Sequence, residues 1–348
     1  MKVLSIETSC DDTGITIMEA KGGIKNASFK VLADELTSQA QMHSSYGGVY
    51  PSLAKREHIK NLPILLAKVL KKAKMKKTDA IAVTYGPGLE PCLWTGIVFA
   101  QELAKKWNVP IMPVNHMEGH IFSVFGKNKG KFKIPKMRFP VLSLLVSGGH
   151  TEFVITNKKL EHKIIGHTLD DAAGEAFDKV ARMLGLPYPG GPHISKLAEM
   201  ERKNKKRNLN IIFPRPMLKS KNLDFSFSGL KTAVLYFTQK NPKVDKVKIA
   251  LEFENAVVET LVYKTQKAME EYKTKTLIIG GGVSANKHLQ RELKRTLGKK
   301  TKILLPTREL ARDNAIMIGM AGYLNLIKKR SHVSKPGSIK ADGDLRLG

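Results

Sequence analysis

Val3-Leu4-Ser5-Ile6-Glu7-Thr8-Ser9-Cys10-Asp11-Asp12-Thr13-Gly14 opens the chain. Its apolar start reads as a buried strand, Ser9 to Gly14 as a polar turn, and Ile15 to Glu19 as a second strand. The pattern returns about 140 residues later: Val141-Leu142-Ser143-Leu144, a turn at Ser147-Gly148-Gly149-His150, then Thr151 to Thr156. Strand, short polar turn and strand used twice imply a duplicated lobe. Each copy is followed by alternating strand and helix signals, Asp79 to Tyr85 then Leu93 to Lys106, and Thr276 to Ile279 then Ser284 to Leu297. That alternation predicts an α/β architecture with buried sheets. The two turns are expected to face each other across a cleft.

Residues 115–120 read Asn115-His116-Met117-Glu118-Gly119-His120, where a strand (Pro110 to Val114) gives way to a helix. Imidazoles at i and i+4 share one helix face and can grip one metal ion. A zinc peptidase helix needs Glu directly after the first His as general base. Met117 stands there, and Glu118 lies one residue on, off the metal face. The pair therefore predicts a metal site without a peptidase, set against the plainer reading of two surface histidines.

Gly86-Pro87-Gly88 and Gly280-Gly281-Gly282-Val283-Ser284-Ala285-Asn286 each stand between a strand and a helix, Ser284 being placed to cap the second helix. Glycines at such positions let backbone N–H groups approach a phosphate. Neither matches a Walker loop or a dinucleotide fingerprint. Singly each is equally a tight structural turn; together they point to a nucleotide cleft.

The chain carries 59 Lys+Arg against 31 Asp+Glu, a net charge of +28, which argues for a polyanionic partner such as nucleic acid. Basic residues gather at Lys71 to Lys77, Lys127 to Arg138, Arg202 to Arg207, Lys219 to Lys221 and in the tail from Lys328. A solubilising surface is the alternative. At 348 residues with 42% hydrophobic content, about two domains are expected. No apolar run reaches the ~18 residues of a membrane helix, no signal peptide is expected, and two cysteines, Cys10 and Cys92, fit a reduced, cytoplasmic location.

Taken together, Ile6 to Gly14, His116 to His120, Leu145-Val146-Ser147-Gly148-Gly149-His150-Thr151, Asp170 to Lys179, Tyr188 to Pro192, Asp224 to Thr232, Gly281 to Asn286 and Asp313-Asn314-Ala315 resemble the bacterial TsaD family of tRNA threonylcarbamoyladenosine transferases. The resemblance runs from Val3 to about Tyr323. It implies a two-lobed actin-like, Hsp70-like ATPase (ASKHA) fold with duplicated mixed-sheet lobes and a central nucleotide cleft. The lobes would span 1–135 and 136–312, with a terminal helix at 313–326 and a basic, flexible tail at 327–348. It implies transfer of the threonylcarbamoyl group from threonylcarbamoyl-AMP to N6 of the adenosine beside the anticodon, in tRNAs reading codons that begin with A.

Carried over residue by residue, the metal ligands are His116, His120 and Asp313, and the substrate contacts are Leu145, Val146, Ser147, Gly148, Gly149, Asp178, Gly191 and Asn286. Asp313 could also cap a helix. Asp11 and Asp12 are candidates for proton acceptance or metal support, though acidic turn residues often only bond backbone. The resemblance implies one divalent metal per subunit, Fe(2+) with Zn(2+) as the alternative. It also implies tRNA, a TsaB-like paralogue, a TsaE-like ATPase and a TsaC/Sua5-like synthase as partners, and no membrane. The donor is an activated anhydride, so no covalent nucleophile is needed and catalysis rests on positioning and charge. Leu89 to Gly96 departs from the small apolar run usual in the family, which touches pairing with the paralogue. A kinase or ATPase of the same fold, a metallo-endopeptidase and a non-enzymatic nucleic-acid binder are the rival readings.

Overall fold

The computed structural model describes residues 1–128, 131–204, 211–307, 310–328 and 337–348. In chain order the elements are β1 (Lys2–Glu7), β2 (Asp12–Lys21), β3 (Ser28–Ser38), α1 (Ala40–Ser44), α2 (Pro51–Ala73), β4 (Ala80–Gly86), α3 (Glu90–Trp107), β5 (Ile111–Asn115), α4 (His116–Phe122), β6 (Gly126–Asn128) and β7 (Lys131–Lys133). There follow β8 (Val141–Val146), β9 (Thr151–Thr156), β10 (His162–His167), α5 (Ala173–Met183), α6 (Gly190–Lys203), α7 (Ser228–Lys240), α8 (Lys246–Glu271), β11 (Thr276–Gly280), α9 (Lys287–Leu297), β12 (Lys302–Leu304) and α10 (Ala315–Lys328). They form two compact units, one of residues 1–136 with 306–347 and the other of 137–305.

The duplication read from the sequence is explicit in the sheets. The first unit's seven strands run β5-β4-β1-β2-β3-β7-β6, and the second unit's five run β12-β11-β8-β9-β10. In each, the opening strand (β1 or β8) pairs antiparallel with its hairpin partner and parallel with the strand three on (β4 or β11). A third antiparallel strand (β3 or β10) and a last parallel strand (β5 or β12) complete the repeat. Val3, Leu4, Ile6, Leu142, Leu144 and Val146 are wholly buried, as a central strand covered on both faces requires.

Two boundaries differ from expectation. β2 begins at Asp12, paired with Ser38, so the first turn is shorter and Asp12 lies on the sheet. A short 3-10 turn (Gly282–Ala285) precedes α9, and the cap is Asn286, whose Oδ1 accepts from Leu289 N at 2.9 Å. Ser284 is buried within that turn.

In the first unit α10 lies across β1, β2, β4 and β5. Its glycines permit this: a Cβ on Gly319 would strike Met18 and Ser5, and one on Gly322 would meet Ala82 at 2.7 Å. Ser5 Oγ donates to Ala315 O at 2.6 Å, fixing the start of α10 above β1.

Two expectations are corrected here. Residues 337–347 are not a flexible arm: Ile339 and Leu347 are buried, Ile339 joining the first unit's apolar core. Asp342 N donates to Tyr85 O at 2.9 Å and Gly88 N to Gly343 O at 3.1 Å. The close approach that Gly86 and Gly88 allow is thus to the chain's own backbone, not to a nucleotide: a Cβ on Gly86 would collide with Asp342 O, and one on Gly88 would meet Ser9 O at 2.6 Å. Of the basic stretches, residues 129–130, 205–210 and 329–336 lie outside the described residues. Lys71 and Lys72 end α2, followed by Lys74 in the left-handed conformation that stops the helix.

Ile339→Ala removes most of a buried aliphatic side chain and should cost about 2 kcal/mol. A lowered calorimetric unfolding temperature for Ile339→Ala, and a larger loss for a chain ending at Lys328, checks the anchoring; unchanged scans would show that the segment contributes nothing.

Candidate metal centre and substrate loops

His116 and His120 open and close the first turn of α4, and both are buried. Asn115 caps this helix, its Oδ1 accepting from Met117 N at 2.8 Å and Glu118 N at 3.3 Å. The Asn before the first His therefore fixes where the helix starts and which way both rings project. Gly119, between them, lets α10 approach: a Cβ there would press on Met317 and Ile318 at 3.0–3.1 Å. α10 in turn brings Asp313 from its N-terminal end. Asn314, not Asp313, caps α10, accepting from Met317 N at 2.9 Å. The Asp313 carboxylate is left to the histidines.

Asp313 Oδ1 lies 3.3 Å from both His116 Nε2 and His120 Nε2. One ligand atom from each residue falls within 4.8 Å of the others. His120 is fully buried; its Nε2 faces the Asp313 carboxylate at 3.3 Å, and its Nδ1 makes no hydrogen bond. A buried, unpartnered imidazole nitrogen is costly unless something else binds it. Two imidazoles and one carboxylate converging there form a donor set for a divalent cation that leaves coordination positions open. These residues fit a metal.

Behind this cluster stands Glu7, wholly buried at the end of β1. Its Oε2 is 3.1 Å from His116 Nδ1 and accepts from Thr84 Oγ1 at 2.6 Å, while Oε1 accepts from Ser9 N at 2.6 Å. Ser9 Oγ also lies 3.2 Å from His116 Nδ1. A carboxylate on the rear nitrogen of a ligand histidine sets its tautomer and aim. Reading the sequence for metal ligands does not find Glu7; a charge ending an otherwise apolar central strand is the signal that could have.

The charges are tightly linked. Burial alone would lower His116, but the facing carboxylates of Glu7 and Asp313 hold it well above the usual imidazole range. Burial likewise would raise Asp313, yet the two histidines draw it well below the usual carboxylate range. His120 is pushed down, chiefly by burial. Asp12 is raised to about 7 by burial, and its Oδ1 makes no hydrogen bond. Arg312 Nη2 stands 3.9 Å from its other oxygen. Asp11 is raised by burial and by the charge of Asp313. Both cysteines are free, and burial raises both thiols. Glu118 accepts from Asn325 Nδ2 at 2.6 Å, the wrong duty for a peptidase base.

In the second unit the loop residues do come together. Leu145 and Val146 end β8, and the turn closes through Ser147 N to His150 O at 2.8 Å. Gly174 at the start of α5 packs on Ser147 O, and Gly281 (φ +85°) on Val146 O, so tightly that neither tolerates a Cβ. Gly148, Gly149 and Gly282 face open space, leaving their backbone approachable. Asp170 accepts from Phe227 N at 2.8 Å and Ser228 N at 3.2 Å, and Asp171 pairs with Lys179 and Lys231. The Asp170 and Asp224 motifs are thus two halves of one support.

Asp178 and Asn286 have structural duties. Asp178 Oδ1 accepts from Gly190 N at 2.7 Å, which sets the turn carrying Gly191. Asn286 Nδ2 donates to Ser195 Oγ and to buried Glu254 Oε1, at 3.0 and 2.7 Å, while its Oδ1 caps α9. Only one Oδ1 lone pair remains to meet a ligand hydroxyl.

Duplicated α/β units of this topology define the ASKHA-like class of fold. Full-length HypF in its phosphate- and nucleotide-bound form is similar with a TM-score of 0.59 at 13% identity, over 96% of this chain and 56% of that one. The 2-hydroxyisocaproyl-CoA dehydratase activator of Clostridium difficile gives 0.53 at 13% identity over 96% and 98%. Within that class the sequence is more specific. The profile described as TsaD, tRNA N6-adenosine threonylcarbamoyltransferase, matches residues 30–320. A protein of Thermosipho africanus named tRNA N6-adenosine threonylcarbamoyltransferase is 43% identical over the whole of both chains. The chain belongs to the TsaD family.

Metal uptake must displace the proton that Glu7 and Asp313 hold on His116. Affinity for Zn(2+) or Fe(2+) should therefore fall about tenfold per pH unit below the His116 pKa. Titration calorimetry across pH checks this, together with proton release on binding. Glu7→Gln should weaken metal about 10–100-fold while leaving the ligands in place. In the other unit, Asn286→Ala removes a helix cap and should cost about 1 kcal/mol, read as a lowered unfolding temperature.

Proposed function

We propose that the chain transfers the threonylcarbamoyl group from threonylcarbamoyl-AMP to N6 of the adenosine beside the anticodon, releasing AMP, in tRNAs reading codons that begin with A. Family membership along the full length carries this reading, and the His116–His120–Asp313 cluster supports it. The rival readings lack such support: the Mg²⁺ of a fold-related kinase takes oxygen ligands rather than two imidazoles, and Glu118 accepts from Asn325 instead of serving as a peptidase base.

His116, His120 and Asp313 would hold one Fe(2+), with Zn(2+) the alternative, and the ion would supply Lewis-acid charge toward the carbamoyl or phosphate oxygens. Glu7 and Ser9 hold His116 in aim. Backbone N–H groups at Ser147 to Gly149 would receive the adenylate phosphate, and Leu145 and Val146 set that turn at the end of β8. Asp178 and Gly191 would border the nucleoside, and the remaining Asn286 lone pair would accept from a hydroxyl. The N6 amine is a weak nucleophile because its lone pair is delocalised into the ring, so a nearby base matters as nitrogen attacks. Asp12, raised to about 7, would accept that proton, with Asp11 beside it.

We place tRNA as the polyanion that the +28 charge serves. The same reading assigns a TsaB-like paralogue, a TsaE-like ATPase and an adenylate-supplying TsaC/Sua5-like synthase as partners, in the cytoplasm. No helix among the described residues is long and apolar enough to cross a membrane.

Incubation with threonine, bicarbonate, ATP, the partner proteins and unmodified tRNA, followed by digestion, should yield the threonylcarbamoylated nucleoside. Absence of that nucleoside with wild-type protein overturns the reading. His120→Ala should abolish it without unfolding the chain. Asp12 is ionised, and able to accept a proton, above about pH 7, so the rate should rise through that pH. Asp12→Asn should remove the rise.

A further inference from the structure

Tyr46 and Tyr50 stack on each other on the surface of the first unit, ring centroids 5.7 Å apart and planes 25° apart. They are 60% and 52% exposed, and Met42 beside them in sequence is 41% exposed. Large apolar groups gathered in solvent mark a binding surface more often than an accident. The loop that presents them is built to hold them still. His43, fully buried, takes Gln39 Oε1 at 3.1 Å on one ring nitrogen and Tyr50 N at 3.3 Å on the other. Tyr46 N donates to His43 O at 3.0 Å, and Gly47 turns the chain at φ +68°. Tyr50 then serves as N-cap of α2, its carbonyl accepting from Ala54 N at 3.0 Å.

This loop is also tied to the metal side of the unit. Gln39 N donates to Asp11 O at 2.9 Å, and the Asp11 carboxyl is near enough to Asp313 to feel its charge. Lys55 and Arg56 are exposed on the first two turns of α2, five and six residues after Tyr50. Exposed stacked rings on a loop leading into a helix whose first turns expose cations are what an unpaired nucleic-acid base and its phosphates require. A substrate adenosine whose N6 must be reached lies in a loop of unpaired bases, and those beside it need somewhere to stack. The excess of positive charge suits the same occupant.

We propose that Tyr46 and Tyr50 form a stacking platform for an unpaired anticodon-loop base of the tRNA, with Lys55 and Arg56 on its backbone. This rests on the tRNA-modifying reading above and locates part of its substrate site. The rings act by their faces, so the hydroxyls are dispensable.

The test uses the full chain with its partner proteins and one unmodified tRNA. It compares wild type, Tyr46→Ala, Tyr50→Ala, the double Ala variant and the double Phe variant. Each Ala change should raise KM for tRNA roughly 5–100-fold, the worth of one base stack. The Phe variant should match wild type. The slope of log affinity against log salt should stay unchanged in the Tyr variants and decrease in Lys55→Ala and Arg56→Ala. Metal content and unfolding temperature should not move. Ala variants with wild-type KM for tRNA overturn the platform. So do variants that lose assembly with the partner proteins while still binding tRNA, an outcome that assigns the rings to a protein contact. A wild-type chain that forms no modified nucleoside fails the underlying reading instead.

Discussion

One carboxylate, that of Asp313, reaches two buried imidazoles, and much of the first unit is arranged to keep it there. His116 and His120 come from α4, whose start is set by the Asn115 cap. Asp313 comes from the far end of the sequence, delivered by α10 as it lies across β1 and β2. Glycines at 119, 319 and 322 let the helix close on its neighbours, and bulkier residues would hold it off. Glu7 on β1 completes the arrangement by taking the rear nitrogen of His116. Sheet, helix and site therefore share one set of contacts, and a change in the α10 packing is felt by the ligands.

The electrostatics follow from burial. Glu7 and Asp313 could not both remain ionised in an apolar interior without His116 between them. His116 in turn is held cationic by both. A divalent cation can replace that proton with little rearrangement, since the donors already converge. His120, whose Nδ1 makes no hydrogen bond and whose Nε2 has the shared Asp313 carboxylate at 3.3 Å, is the group with most to gain.

The second unit's copy of the same topology carries a different turn. Its corresponding turn carries Gly148 and Gly149 in place of acidic residues, and it is backed by Gly174 and Gly281. Backbone approach is left open there, a geometry that suits a phosphate. Asp178, Asn286 and the Asp170–Asp171 pair serve as struts of the fold.

Local chemistry made much of this legible in the sequence. Period and turn residues exposed the duplicated strands, i,i+4 spacing exposed the two histidines, and the Asp313-Asn314-Ala315 motif supplied the third member of the cluster only through family resemblance. The structure alone decided which residues answer one another across long separations. Glu7 reads as the end of an apolar strand until β1 is placed beside β4 and α4. Gly86 and Gly88 read as a phosphate turn until residues 337–347 fold onto them. Asn314 and Asn286, not their neighbours Asp313 and Ser284, proved to be the caps, because a cap is chosen by backbone angles and not by residue type alone. Spacing and composition act over a few residues and so can be read directly. Partners 77 to 310 positions apart, such as Thr84 on Glu7 and Ala315 on Ser5, exist only once the core has brought them together.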